Sequence, residues 1–291
     1  MKPELVVVGT DGSDPSFQAV EWAAREAVLR GAALRIVSVP MLPRLMSWRR
    51  APEGTPDTVA GVIVRSARDT LAAAAERAAK LEPGLAVETA LKTAPPAGGL
   101  ADAATDASML VVGSRGGGGF AALLLGSVSR QVATRADCPV VVVREKTLAV
   151  HRQVVVGVRD LDQPNAIGFA FAEASLRKAR VRAVHAWQLF LPEMRLTGTE
   201  RPGAAAEEVT AELTEWLTGV LSFWREKYPE VDVIEEVVHA SPGRVMAASS
   251  ANADLIVLGR SSSGESSHAG ADPVIHAVLN HANAPVAIVP E

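Results

Sequence analysis

The stretch ASMLVVGSRG, Ala107 to Gly116, returns later in the chain as ADLIVLGRSS, Ala253 to Ser262. Gly113 and Gly259 hold the same place in the two copies, 146 positions apart. Two further pairs flank this one. LVVVGTDGS from Leu5 is echoed by QVVVGVRDL from Gln153, with Gly9 and Gly157 separated by 148. CPVVVVRE from Cys138 is echoed by APVAIVPE from Ala284, with Pro139 and Pro285 separated by 146. Three landmarks in one order, at a nearly constant offset, describe a duplicated chain.

The runs VVVG, MLVVG and PVVVV are continuously apolar, the pattern of parallel strands covered by helices on both faces. Copy one predicts strands at Leu5–Gly9, Ala33–Val39, Leu85–Leu91, Met109–Gly113 and Pro139–Val143. Between them fall helical stretches at Ser13–Leu29, Val59–Leu81, Gly98–Asp106 and Ser127–Arg135, with Ser13 as N-cap and Gly31 past the first helix's end. Copy two repeats the order, with strands near Val154–Gly157, Val181–Trp187, Val231–Val238, Leu255–Gly259 and Val286–Val289. Strands alternating with helices predict right-handed crossovers and an α/β fold. The expectation is two tandem, doubly wound, five-stranded parallel-sheet domains, 1–145 and 152–291, joined by the short segment Lys146–Arg152.

A length of 291 residues agrees with two domains at roughly 150 each. Hydrophobic residues make up 48% and charged residues 21%, which argues against a disordered chain. A net charge of −4 without a basic tract disfavours non-specific nucleic-acid binding. One cysteine excludes an internal disulfide framework and suits a reducing cytoplasm. The apolar run after Met1 is too short for a signal peptide, and no stretch reaches the ~20 apolar residues of a membrane span. A soluble, cytoplasmic protein with no membrane partner is expected. The halves differ electrostatically. Residues 1–145 carry 16 basic and 15 acidic groups, and residues 146–291 carry 13 and 18.

The segment richest in chemical signal is GSRGGGGFAALLLGSVS, Gly113 to Ser129, which follows a strand and precedes a helix. Closely spaced glycines let backbone N–H groups turn toward an anion, and the helix beginning near Ser127 adds a positive dipole end. A flexible connector is the other reading of the same glycines. No Lys follows them as a Walker loop requires. The dinucleotide fingerprint would need its glycines after the first strand, which instead opens into Thr10-Asp11-Gly12-Ser13.

The spacing Gly113-x2-Gly116-x9-Gly126-Ser127 resembles the G-2x-G-9x-G-[ST] ATP-binding signature of the universal stress protein family. VVVGTDGS resembles that family's first strand and turn, CPVVVV resembles its last strand, and the duplication resembles the tandem members found in actinobacteria. The resemblance implies a Rossmann-like domain of the adenine nucleotide alpha hydrolase type with strand order 3-2-1-4-5. That order would place Asp11 and the glycine loop at one switch-point crevice. It further implies an adenine nucleotide ligand, ATP with Mg2+ as an accompanying ion. Asp11 would stand at the adenine or ribose end, and the Val39 backbone at the adenine. Gly113, Gly116, Gly126 and Ser127 would surround ribose and phosphates, with Arg115 pairing phosphate oxygens. On the residues alone, Asp11 reads equally as a turn or capping carboxylate. Without the resemblance, Val39 reads first as a buried strand end and Arg115 first as a solvated loop charge.

Copy two departs from this pattern. Gly116 aligns with Ser262, Gly126 with Asp272, Ser127 with Pro273 and Asp11 with Arg159. An aspartate brings bulk and negative charge to the phosphate seat, and Pro273 lacks an N–H for an anion. Weak or absent ATP binding is therefore expected of the second domain, while its Ser261–Gly264 loop is left open to another ligand. His239, His268, His276 and His281 lack metal-binding spacing. Cys138 and His185 read as packed residues, and Trp216, Phe223 and Trp224 as core or interface. Met41–Thr55, with Arg44, Arg49 and Arg50 around Trp48, reads as a solvated loop or a lid.

The leading functional expectation is a non-catalytic, ATP-binding regulator of the stress response. By resemblance it would form a homodimer through its last strands. A slow ATPase is the alternative. Against it, Ser127 and Ser129 lack a recognisable His/Asp relay, and no base stands ready to orient water.

Overall fold

Val6, Val7 and Val8 are fully buried, as a strand covered by helices on both sides requires. The computed structural model describes residues 4–41, 58–116, 125–144, 150–159, 163–188, 202–260 and 272–291, and the side chains of these except 202–205. The chain divides into two compact units, Met1–Lys146 and Thr147–Glu291.

In the first unit, β1 (Leu5–Gly9), β2 (Ala33–Ser38), β3 (Val87–Leu91), β4 (Met109–Gly113) and β5 (Val140–Val143) are all parallel. Their order is β3-β2-β1-β4-β5. The connecting helices are α1 (Asp14–Arg30), α2 (Val59–Leu81), α3 (Pro96–Ala103) and α4 (Ser127–Arg135). Helices α1 and α2 pack together, as do α3 and α4. The chain winds one way from β1 and the other way from β4, so right-handed crossovers put these pairs on opposite faces.

The second unit repeats the plan. Strands β6 (Gln153–Gly157), β7 (Arg180–Trp187), β8 (Val233–His239), β9 (Leu255–Arg260) and β10 (Val286–Pro290) run parallel in the order β8-β7-β6-β9-β10. Helices α5 (Pro164–Arg177), α6 (Pro202–Lys227), α7 (Pro242–Ser249) and α8 (Pro273–His281) connect them. The doubly wound α/β class expected from the sequence is the one observed.

The repeat extends into the core. Glu26, 3% exposed, pairs with Arg30 one turn on, and Glu173, fully buried, pairs with Arg177 in the same way. A carboxylate this deep persists only with a charged partner. The copies diverge at the ends of these helices. Gly31 closes α1 at φ 64°, whereas Lys178 closes α5 at φ 50°, a left-handed conformation that strains a side chain with a Cβ.

Boundaries shift where glycine and proline mislead. The pair Gly98-Gly99 suggests that the third helix begins there, yet α3 starts at Pro96, whose fixed φ suits a first turn. Gly99 sits inside it because a Cβ there would lie 2.9 Å from Val39 Cγ1. β3 begins at Val87, two residues later than the apolar pattern predicts.

Trp224, half-buried, stacks with Phe171 and Tyr228, and half-buried Trp216 meets the buried His185 edge-on, so both tryptophans cover the core from its margin. Phe223 is 60% exposed and meets this cluster only edge-on, against Trp224. Cys138 is half-buried, and burial pushes its thiol up from the ordinary value. Among the described residues, no helix is long and apolar enough to cross a membrane. Several expectations lie outside the described residues. These concern the lid beyond Met41, most of the joining segment, the loop interior at 117–124, and the Ser261–Gly264 loop with His268.

Candidate functional site

Strands β1 and β4 are neighbours whose connections leave in opposite directions, so a crevice opens beyond their carboxyl ends. After β1 the chain turns sharply at Gly12, φ 84°, a conformation that favours glycine. Asp11 builds this turn. Its Oδ1 accepts hydrogen bonds from the Ser13 N–H at 3.1 Å and the Ser13 hydroxyl at 2.6 Å. Ser13 in turn caps α1 by accepting from the Ser16 N–H at 3.4 Å. The other carboxylate oxygen, Asp11 Oδ2, lies where a Cβ on Gly116 would have to sit. The turn-forming role of Asp11 and its place at the glycine loop are therefore both present.

The glycines of the loop have different reasons to be glycine. A Cβ on Gly113 would stand 2.6 Å from the Pro15 carbonyl oxygen, so close packing of β4 on α1 excludes any side chain. At Gly126 the nearest atoms, on Ser114, Arg115 and Ser129, would lie 3.5 Å from a Cβ, an ordinary contact. Its φ of −71° needs no glycine either. Packing and backbone thus leave space at Gly126 that the described residues do not fill. Gly126 is the N-cap of α4, and this helix start carries no side-chain cap. Its first N–H groups are the kind that receive an anion.

The remaining predicted residues surround this point. Ser127 is exposed on the first turn of α4, and Arg115 is half-buried beside Gly126. Val39, half-buried, follows β2 just past the bond from the Lys92 N–H to Ser38 O, and rests on Gly99. Asp11, Gly113, Arg115, Gly116, Gly126 and Ser127 are thus gathered at one crevice, with Val39 at the end of the adjoining strand.

A set of hydroxyls beneath the crevice carried no sequence signal. Thr10 Oγ1 and Ser16 Oγ are 3.0 Å apart and buried, and Ser16 Oγ accepts from the Asp11 N–H at 3.3 Å. Ser129 donates to Gly113 O at 2.7 Å. Single Ser and Thr residues beside apolar runs look like any turn or cap. Only the tertiary fold shows that they share one floor.

In the second unit the same place is filled from within. Asp272, the counterpart of Gly126, caps α8 as its Oδ1 accepts from the Val274 N–H at 2.8 Å and the Ile275 N–H at 3.4 Å. Its Oδ2 takes Arg159 Nη1, from the counterpart of Asp11, at 2.6 Å. The start of α5 is also covered by an internal carboxylate. Glu291 accepts from the Asn165 and Ala166 N–H groups at 2.9 and 3.0 Å. Both helix starts at this crevice hold the chain's own acids.

The sheets and crevices define a tandem pair of doubly wound α/β domains, with an anion-ready helix start in the first and self-capped ones in the second. The model of the universal stress protein family matches residues 4–144 and again 151–290, and the chain belongs to that family. It is 33% identical over 304 residues to the universal stress protein Rv2005c of Mycobacterium tuberculosis, covering 99% of this chain and 97% of that one. It is 32% identical over 288 residues to Rv2623 of the same species, covering 91% and 88%. Among solved structures, a universal stress protein from Archaeoglobus fulgidus shares the fold, with a TM-score of 0.71 over 99% of this chain and 96% of that one, at 17% identity.

Proposed function

We propose that the first domain binds an adenine nucleotide, ATP, in the crevice between β1 and β4. On this reading the protein acts as a nucleotide-dependent regulator in stress response, by binding and not by turnover. The observation that carries the proposal is the start of α4. An N-cap glycine, whose backbone and described neighbours do not require glycine, leaves the helix's first N–H groups without a side-chain cap among the described residues. Such a start fits a phosphate, through the N–H groups and the dipole together. Arg115 and the Ser127 hydroxyl would meet phosphate oxygens, and the strand end at Val39 would face the base. Asp11 would stand at the adenine or ribose end, and Mg2+ accompanying the phosphates would draw its ligands from phosphate and water.

A binding role is supported by Ser129, whose hydroxyl is committed to Gly113 O at 2.7 Å and so is not offered to a base. Homodimer formation through the last strands and a cytoplasmic location complete the proposal. Mass spectrometry of nucleotide released from the denatured, purified chain tests the binding. Stoichiometric ATP is expected. ADP with measurable turnover would overturn the non-enzymatic part, and the absence of nucleotide even after incubation with ATP would overturn the site.

A further inference from the structure

The second domain has a cleft of about 80 Å3 at the ends of β6 and β9, room for ~5–8 water molecules at ~10–15 Å3 each. Val158, Val184, Ala186, Met246, Leu258 and Ile275 line its walls, and Arg159 with Asp272 stands at the end that corresponds to the α4 start. The lining differs from the first domain in one direction. Thr10 is replaced by Val158 and the buried Ser129 by Ile275, so two hydroxyls of the first crevice's floor are gone. The Oδ1 of Asp272 occupies the N–H groups that an anion would use, and its Oδ2 occupies the Arg159 guanidinium. Glu291 likewise occupies the N–H groups at the start of α5. Gln163, the buried polar side chain in the lining, already accepts from the Arg159 N–H through its Oε1 at 3.2 Å, and the rest of the inner wall is apolar, so the cleft favours a ligand whose burial leaves no polar group unpaired.

We propose that the second domain's cleft is a binding site for an uncharged, largely apolar small molecule the size of one aromatic ring system, and that it excludes phosphorylated ligands. The site is separate from the nucleotide site proposed for the first domain, and neither depends on the other. The acids at the helix starts set its selectivity by holding the donors an anion needs, and Val158 and Ile275 set it by desolvation.

The test uses the full chain with ATP in excess, and indole as the neutral probe, followed by ligand-detected NMR. Saturable binding with a dissociation constant on the order of 1 mM is expected for a ligand of this size. Indole-3-carboxylate, of similar shape but anionic, should bind at least about tenfold more weakly, since Asp272 and Glu291 already hold the helix N–H groups and Asp272 the Arg159 guanidinium. Val158→Thr, nearly isosteric, should weaken indole about fivefold by placing a hydroxyl against it. Ala186→Val narrows the cleft at a strand position that suits valine and should weaken indole at least as much, so the outcome does not hang on one variant folding. No saturable binding below about 10 mM, equal binding of the carboxylate, or indole binding unchanged in both variants would each overturn the proposal. Loss of ATP binding with indole binding intact would count against the first-domain reading alone.

Discussion

Helices α4 and α8 begin at equivalent points of a duplicated fold, yet one start lacks a side-chain cap and the other is capped twice over. At α4 the N-cap is Gly126, with no side-chain cap. At α8 it is Asp272, whose two oxygens serve the helix N–H groups and the Arg159 guanidinium. The same dipole end is thus available to an outside anion in one domain and neutralised from inside in the other. Arg159 and Asp272 belong together. An uncompensated carboxylate in the crevice would be unfavourable, and the reversal of Asp11 to Arg159 supplies its partner. A duplicated fold can keep its backbone while exchanging a ligand for a side-chain pair.

The sharpest way to break this comparison is to move the acid across. Gly126→Asp places the Asp272 arrangement in the first domain, where a Cβ has room. Nucleotide retention should fall at least about 100-fold, since like charges ~4 Å apart repel by ~4 kcal/mol at a partly screened site. Thermal melting should stay within a few degrees of the parent chain, and undiminished ATP in the variant would mean that the α4 start is not the phosphate seat. The reverse exchange, Arg159→Asp with Asp272→Gly, should raise nucleotide stoichiometry by calorimetry from about one toward two per chain, the second site remaining the weaker. If stoichiometry does not change, the depolarised floor, not the ion pair, bars the nucleotide.

Gly113→Ala sharpens the contrast between two glycines of one signature. The Pro15 carbonyl stands 2.6 Å from the added methyl, so about 1–3 kcal/mol of first-domain stability should be lost, read by denaturant unfolding. Gly126→Ala should change stability by less than that. Equal losses at both positions would remove the distinction drawn here. The smallest effect is expected at the helix ends. Lys178→Gly, restoring the residue found at Gly31, relieves a left-handed side chain and should stabilise the second domain by about 0.5 kcal/mol after the glycine's greater unfolded-state freedom is counted. A loss of stability would show that the Lys178 side chain contributes more than its backbone strain removes.

Much of this molecule was legible before any coordinates. The apolar runs at Val6–Val8 and Leu110–Val112 could only be strands covered on both faces, and the repeat offsets divided the chain. The spacing Gly113, Gly116, Gly126 marked the loop, and Asp272 marked the departure. Boundaries near Pro96 and Val87 were misread because local glycine and proline signals do not register what packs against them. That Thr10 and Ser16 share a floor with Ser129 was invisible because Ser129 lies on a distant segment and all three are ordinary in type.

The sequence by itself determined the parallel α/β architecture and the duplication, which follow from hydrophobic periodicity and repeat offsets, and it carried the resemblance to the family in its glycine signature. Tertiary structure alone decided why each glycine is a glycine. Gly113 is fixed by the Pro15 backbone, Gly116 faces the Asp11 carboxylate, and Gly126 meets nothing closer than ordinary contact among the described residues. It also decided that Arg159 and Asp272, 113 positions apart, meet at 2.6 Å and close a helix start that sequence alignment marks only as altered. Spacing along a chain reports which backbone shapes are permitted. Which groups satisfy one another depends on distances between segments, and those exist only once the chain has folded.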